Sequence, residues 1–229
     1  GYPCFGGPSP AVKGAKVTAK GLPSMVGIWA PGVEGVDFPA GTGIRLPPGS
    51  KLVAQVHYNV QTPNPEADRS SITLELEPTV TREAFMIPFG NPSWVQSGTM
   101  TIPARARDTA HFFRLSASTL TNRASKNVLS ASEPVELLGQ MLHMHTRGSW
   151  ASFSVERASE SVCALNIPAW DFHWQGMYFF EKPIVVQPSD EFRIECHFDN
   201  SGGDEALNWG EGTNDEMCVG FSYVTSVAR

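Results

Sequence analysis

Apolar and polar positions alternate along most of this chain, and helical spacing is nearly absent. Residues 191–198 show the pattern most clearly. Phe192, Ile194, Cys196 and Phe198 fall on one side, and Glu191, Arg193, Glu195 and His197 on the other. Successive side chains of a strand point to opposite faces, so this run predicts a strand with one buried face. The same reading predicts strands at 51–59, 71–77, 84–88, 98–102, 110–116, 137–146, 150–157, 163–167, 177–180, 184–186 and 217–227. Eighteen prolines and 21 glycines punctuate them, which is the signature of an all-β sandwich. The short stretch Arg147-Gly148-Ser149 suggests that 137–146 and 150–157 pair across it. Residues 1–45 read as irregular. Residues 199–216 form a long loop rich in glycine and acidic residues, of a length often kept for function.

The chain echoes itself once. Pro48 precedes His57, and Pro188 precedes His197, by the same offset, and both intervals alternate in polarity. This predicts two related sandwich units, with His57 and His197 at equivalent strand positions. The stretch 78–82 leaves the second predicted strand and marks the expected boundary, giving domains over 1–82 and 83–229.

Composition narrows the possibilities. A length of 229 residues allows one large or two ordinary domains. A net charge of -6 argues against nucleic acid, which is met with basic patches. No apolar run approaches the length of a membrane-spanning helix, and residues 1–20 lack the apolar stretch of a signal peptide. The four cysteines, Cys4, Cys163, Cys196 and Cys218, form no C-x-x-C zinc pattern. No nucleophile elbow, P-loop or dinucleotide fingerprint is present.

The candidate chemistry lies in Gln140-Met141-Leu142-His143-Met144-His145-Thr146 and in Asp215-Glu216-Met217-Cys218. On an extended strand His143 and His145 share a face, with Leu142 and Met144 opposite. Two imidazoles and the Met217 thioether would make a three-ligand site suited to copper, since soft sulfur favours Cu(I). The competing reading is a packed or surface histidine pair with an ordinary core methionine. His111 and His173 read as hydrogen-bonded structural histidines, and His197 as solvated.

Gln55-Val56-His57-Tyr58, His143-Met144-His145 with Thr146 and Gly148, and Asp215-Glu216-Met217-Cys218 occur in this order. Together with Trp29-Ala30-Pro31-Gly32, they resemble the copper type II, ascorbate-dependent monooxygenases, the family of peptidylglycine α-hydroxylating and dopamine β-monooxygenases. The likeness runs from about Cys4 to about Tyr223. It implies two jelly-roll-type antiparallel β-sandwich domains, each holding one copper, and a first domain that is incomplete here. It makes His143, His145 and Met217 ligands of the oxygen-binding copper and His57 a ligand of the electron-donating one. The family's adjacent His-His pair, just upstream of the cysteine matching Cys4, has no counterpart in this chain. The resemblance also implies a Cys196–Cys218 disulfide.

The activity so implied is hydroxylation of an activated C–H bond of a small molecule. Dioxygen would be the oxidant and ascorbate the reductant, in a secreted or periplasmic protein. The positions at which the peptide-amidating branch grips a substrate carboxylate are Met141, Val219 and Phe221 here. None can pair with a carboxylate, so a C-terminal glycine peptide is not the expected substrate. The alternatives are a non-catalytic copper-binding protein and a jelly-roll interaction module.

Overall fold

The structure, a computed structural model, describes residues 24–60 and 62–228. Cys4 lies outside the described residues. The strands are β1 (Thr42–Gly43), β2 (Arg82–Phe89), β3 (Thr101–Ile102), β4 (Thr109–Ser116), β5 (Val135–His143), β6 (Gly148–Glu156), β7 (Ser161–Ile167), β8 (Tyr178–Val186), β9 (Glu191–Phe198), β10 (Leu207–Asn208) and β11 (Val219–Ser226). One sheet has the order β1-β2-β11-β5-β8 and the other β4-β9-β6-β7, with β10 and β3 forming a small ribbon. All pairings are antiparallel except β1 with β2. The all-β sandwich expected from the alternation is the observed fold.

The inner faces of the two sheets make the main core. Phe192, Ile194, Cys196 and Phe198 are fully buried, as their alternation predicts. From the facing sheet come Ile87, Phe89, Leu142 and Met144. Phe89 meets Phe153 edge-on at 5.5 Å. Burying each such ring contributes about 2–3 kcal/mol. The Cys196–Cys218 disulfide links β9 to the residue just before β11, tying one sheet to the other.

Four expectations need correction. Residues 51–59 and 71–77 are extended but form no strand ladder. Their alternation is real, yet no described strand lies alongside to take their backbone hydrogen bonds, and Leu52, Val56, Ile72 and Leu76 are exposed. His57 and His197 therefore do not occupy equivalent strand positions: His197 is in β9 and His57 is on the unpaired stretch. Nor do β5 and β6 pair across residues 147–149. Both edges of β5 are taken by β11 and β8, and both edges of β6 by β7 and β9. The chain arches from one sheet to the other there, and alternation alone does not distinguish an arch from a hairpin. Gly148 is needed in that arch, because a Cβ would lie 2.8 Å from both the Met144 methyl carbon and the Trp170 ring. Finally, the strands expected at 177–180 and 184–186 are one strand, β8, which begins at Tyr178, with a register shift in its pairing where β5 passes from Leu137 to Gly139.

Two short helices also interrupt the strands. In α1 (Pro92–Ser97) the Asn91 side chain caps the Ser93 N–H, proline takes the first turn, and Gly98 closes the helix at φ 60°. That cap confines the strand expected at 98–102 to β3. In α2 (Ala117–Ala124) Ser116 caps the Thr119 N–H. No helix among the described residues is long and apolar enough to cross a membrane.

Candidate metal centre

His143 ends β5 and His145 follows two residues later, just beyond the ladder. Leu142 and Met144 turn into the core, so both imidazoles project from the outer face of the five-stranded sheet. Their ring centroids are 5.2 Å apart, with planes at 77°.

Each ring is held through Nδ1. His143 Nδ1 lies 2.6 Å from Gln175 Oε1. The Gln175 amide is itself oriented, because its Nε2 donates to the Phe172 carbonyl at 2.7 Å. His145 Nδ1 lies 2.9 Å from the Asp215 carbonyl. Both partners are acceptors, so Nδ1 carries the proton in each ring and Nε2 is left with a free lone pair. Metal-binding histidines are commonly fixed by such a second-nitrogen hydrogen bond.

Burial keeps these rings neutral. Desolvation pushes the His143 pKa from 6.5 down to about 4, and positive charge on His145 or His57 would push it lower still. The hydrogen bond to Gln175 opposes the shift without cancelling it. His145 is also shifted down, again mainly by burial.

The supporting residues come from distant parts of the chain. The Gln175 N–H donates to the Pro31 carbonyl at 3.1 Å, which lays Trp29-Ala30-Pro31-Gly32 beside the loop that carries it. Gly32 has φ +92°, and a Cβ there would sit 2.6 Å from the His173 carbonyl oxygen. Glu216 is fully buried. It accepts from the backbone N–H groups of His145 and Arg147, clamping the turn between them. Burial pushes its pKa up to about 7 against the pull of those donors. The loop around it is tied by Glu216 N–H to Asn208 O and Gly210 N–H to Glu216 O.

Met217 is 9% exposed and sits between this glutamate and the disulfide-bonded Cys218. In the ladder Val219 faces His143. Met217 lies two residues before Val219 along the chain, next to the Asp215 and Glu216 groups that bond His145. Among the described residues no three His, Cys, Asp or Glu side chains converge. The donors the geometry shows side by side are two neutral imidazoles, a nitrogen pair that suits copper among other transition metals.

His57 lies near enough to influence the pair electrostatically. Its Nε2 accepts from Gln55 Nε2 at 2.8 Å and lies 3.5 Å from Glu211 Oε2. Residues 57–59 and 211–215 enclose a cavity of about 270 Å³. The other histidines stay apart from the site. His111 bonds the Thr101 carbonyl, His173 pairs with Asp171, and His197 contacts Asp108 at 2.6 Å rather than being merely solvated.

Sequence reasoning missed Gln175, Glu216 and Glu211. A carboxylate next to Met217 and Cys218, both buried, was a usable sign for Glu216. Nothing in the spacing of the chain pointed to Gln175.

The chain is 22% identical to the dopamine beta-hydroxylase of dog over 209 residues, covering 87% of this chain and 31% of that protein. It is 29% identical over 84 residues to the mouse protein called DBH-like monooxygenase protein 2, covering 36% of this chain and 14% of that one. The chain thus spans less than a third of the length of these curated relatives. Residues 95–226 match the family described as copper type II ascorbate-dependent monooxygenase, C-terminal domain, which takes in β3 to β11 and the whole imidazole site. With more than half of its residues in that match, the chain belongs to the copper type II ascorbate-dependent monooxygenase family.

Proposed function

We propose that this chain carries the substrate-oxidising centre of a copper monooxygenase, with His143, His145 and Met217 as the copper ligands. The observation that carries the reading is the pair of Nδ1-anchored imidazoles presenting two free Nε2 lone pairs side by side. Copper bound there would supply dioxygen activation for hydroxylating a C–H bond, with electrons from ascorbate. The protein's part is positional. Gln175 and the Asp215 carbonyl fix the ring tautomers. Glu216 fixes the turn that separates the rings, and the disulfide anchors the strand start that bears Met217. His57, across the cavity, would belong to the electron-donating site, in a first domain ending near residue 82.

The substrate is expected to be a small molecule without a carboxylate to be gripped. Met141, Phe221 and Ala30 pack together, with Val33 and Val219 against them, so the positions matched to the carboxylate grip are apolar. The Cys196–Cys218 bond supports an oxidising compartment, secreted or periplasmic.

The direct test is X-ray absorption of the Cu(I)-loaded chain and of Met217→Ile, together with ascorbate-dependent oxygen uptake. The expected result is a sulfur scatterer near copper in the first and none in the variant, with uptake reduced at least tenfold. Unchanged spectra and uptake would remove Met217 from the site.

A further inference from the structure

The two imidazoles are not held by the same means. His143 is the last residue of β5 and is still in the ladder, paired with Val219. His145 lies two residues beyond the end of β5, where no ladder takes its backbone groups. Side chains take them instead. Glu216 Oε2 accepts from the His145 N–H at 2.9 Å. The Trp170 indole N–H donates to the His145 carbonyl at 3.1 Å, closer than the Gly148 N–H at 3.4 Å. Trp170 is itself well fixed. Its backbone N–H donates to the Ser149 carbonyl at 2.9 Å, and its ring packs against the main core. Gly148 leaves room for that ring, since a Cβ there would lie 2.8 Å from it.

Trp170 belongs to the segment 168–177, between β7 and β8. The same segment carries Gln175, which accepts from His143 Nδ1, and Phe172, whose ring stands perpendicular to that of His145 at 6.2 Å. One connection thus reaches both imidazoles, and Trp170 is the member of it that bonds the backbone of His145.

We propose that Trp170 is a positioning residue for His145, whose indole N–H sets the direction in which the free Nε2 points. This rests on the reading of His143 and His145 as metal ligands. Peptide units are planar, so a residue has two soft backbone angles. The bond to Glu216 fixes the peptide plane before His145, and the bond from Trp170 fixes the plane after it. Together they set the direction of the Cα–Cβ bond, and the Asp215 carbonyl then sets the rotation of the ring. An indole has one donor and no acceptor, so replacing that N–H removes this bond and no other side-chain bond. The plain alternative is a contact that only satisfies a half-buried indole.

The experiment compares the full chain with Trp170→Phe and with benzothienylalanine placed at position 170, which keeps the shape of tryptophan and puts sulfur in place of the N–H. Long-range proton–nitrogen NMR of the metal-free proteins reads which nitrogen of each imidazole is protonated. Competition with a chromophoric chelator, free thiols blocked, reads Cu(I) affinity. In both variants His145 should pass from the single Nδ1–H form to a mixture of tautomers, while His143 keeps its own form. Cu(I) affinity should fall about tenfold, the low end for loss of an outer partner. The proposal is overturned if the His145 ring keeps its spectrum and the affinity stays within about twofold. It is equally overturned if both rings change together in the benzothienylalanine protein, because a general loosening of the fold would do that. If the unaltered chain binds no Cu(I), the ligand reading of the two histidines falls, and the ring spectra alone decide the role of Trp170.

Discussion

His143 and His57 begin alike in the sequence: each lies on an alternating run that predicts a strand. In the structure they differ in almost everything that matters to a ligand. His143 ends a strand bonded on both edges, its ring is anchored through Nδ1, and burial keeps it neutral. His57 sits on an extended stretch with no ladder, its side chain is 45% exposed, and its Nε2 is engaged by Gln55. A metal ligand needs a ring held in one orientation with a nitrogen left free, and the strand context supplies this to His143 through Nδ1 and leaves its Nε2 open.

The comparison can be broken most forcefully at the disulfide. Replacing Cys196 and Cys218 together by serine opens a link spanning 22 residues of sequence. Chain-entropy arguments put the loss near ~3 kcal/mol. Urea unfolding should show that loss, and Cu(I) affinity should weaken with it, because the start of β11 is no longer held to β9. A stability change below ~1 kcal/mol would mean that the core alone holds the strand.

Gln175→Ala comes next. It leaves the fold and both rings in place but removes the acceptor that sets the His143 tautomer. Losing such an outer partner typically weakens metal binding by about 10–100-fold. Competition with a chromophoric Cu(I) chelator measures it. An unchanged affinity would mean that His143 is positioned by its strand alone. Gly32→Ala should reproduce part of the effect, since the new Cβ collides with the backbone of the loop carrying Gln175.

The legible part of the site was the part written in short-range pattern. The i, i+2 spacing of His143 and His145 did set both rings on one face, and Leu142 and Met144 did turn inward. The alternation of 191–198 gave β9 with its buried face correct at every position. What stayed hidden depends on partners far along the chain. Alternation in 51–59 says that a strand could form, not that another strand is there to pair with it. The arch at 145–148 looks like a hairpin until the neighbours of β5 and β6 are known. Gln175 is a polar residue in a loop, and only the Nδ1 contact across 32 residues of sequence gives it a role.

Acid offers a finer probe of the buried side of the comparison. The folded-state pKa values of His143 and His145 lie below their unfolded values, so the unfolded chain takes up protons first. The His143 ring therefore contributes stability above about pH 6.5 that is lost as the pH falls toward 4, and His145 acts in the same direction. Glu216 acts in the opposite sense, because its folded pKa is raised: it favours the folded state at low pH and loses that contribution as the pH rises through about 7. The metal-free chain should thus lose stability gradually between pH 6.5 and 4, and Glu216→Gln should steepen the loss. A flatter profile in that variant would reverse the assignment of Glu216.

The smallest effect is expected at the exposed end, from His57→Ala. Its ring meets Gln55 and Glu211 near the surface, and a substitution of this kind usually changes stability by no more than ~0.5 kcal/mol. Cu(I) binding at the imidazole pair should stay within about twofold, because neither His143 nor His145 takes a hydrogen bond from His57. If His57 belongs to an electron-donating site, ascorbate-dependent oxygen uptake should nevertheless fall sharply in the same variant. Measuring both on one preparation separates the roles. Intact Cu(I) affinity with lost uptake marks His57 as part of electron delivery. Loss of affinity would mean that the two histidines share one centre, and that their contrasting surroundings mislead.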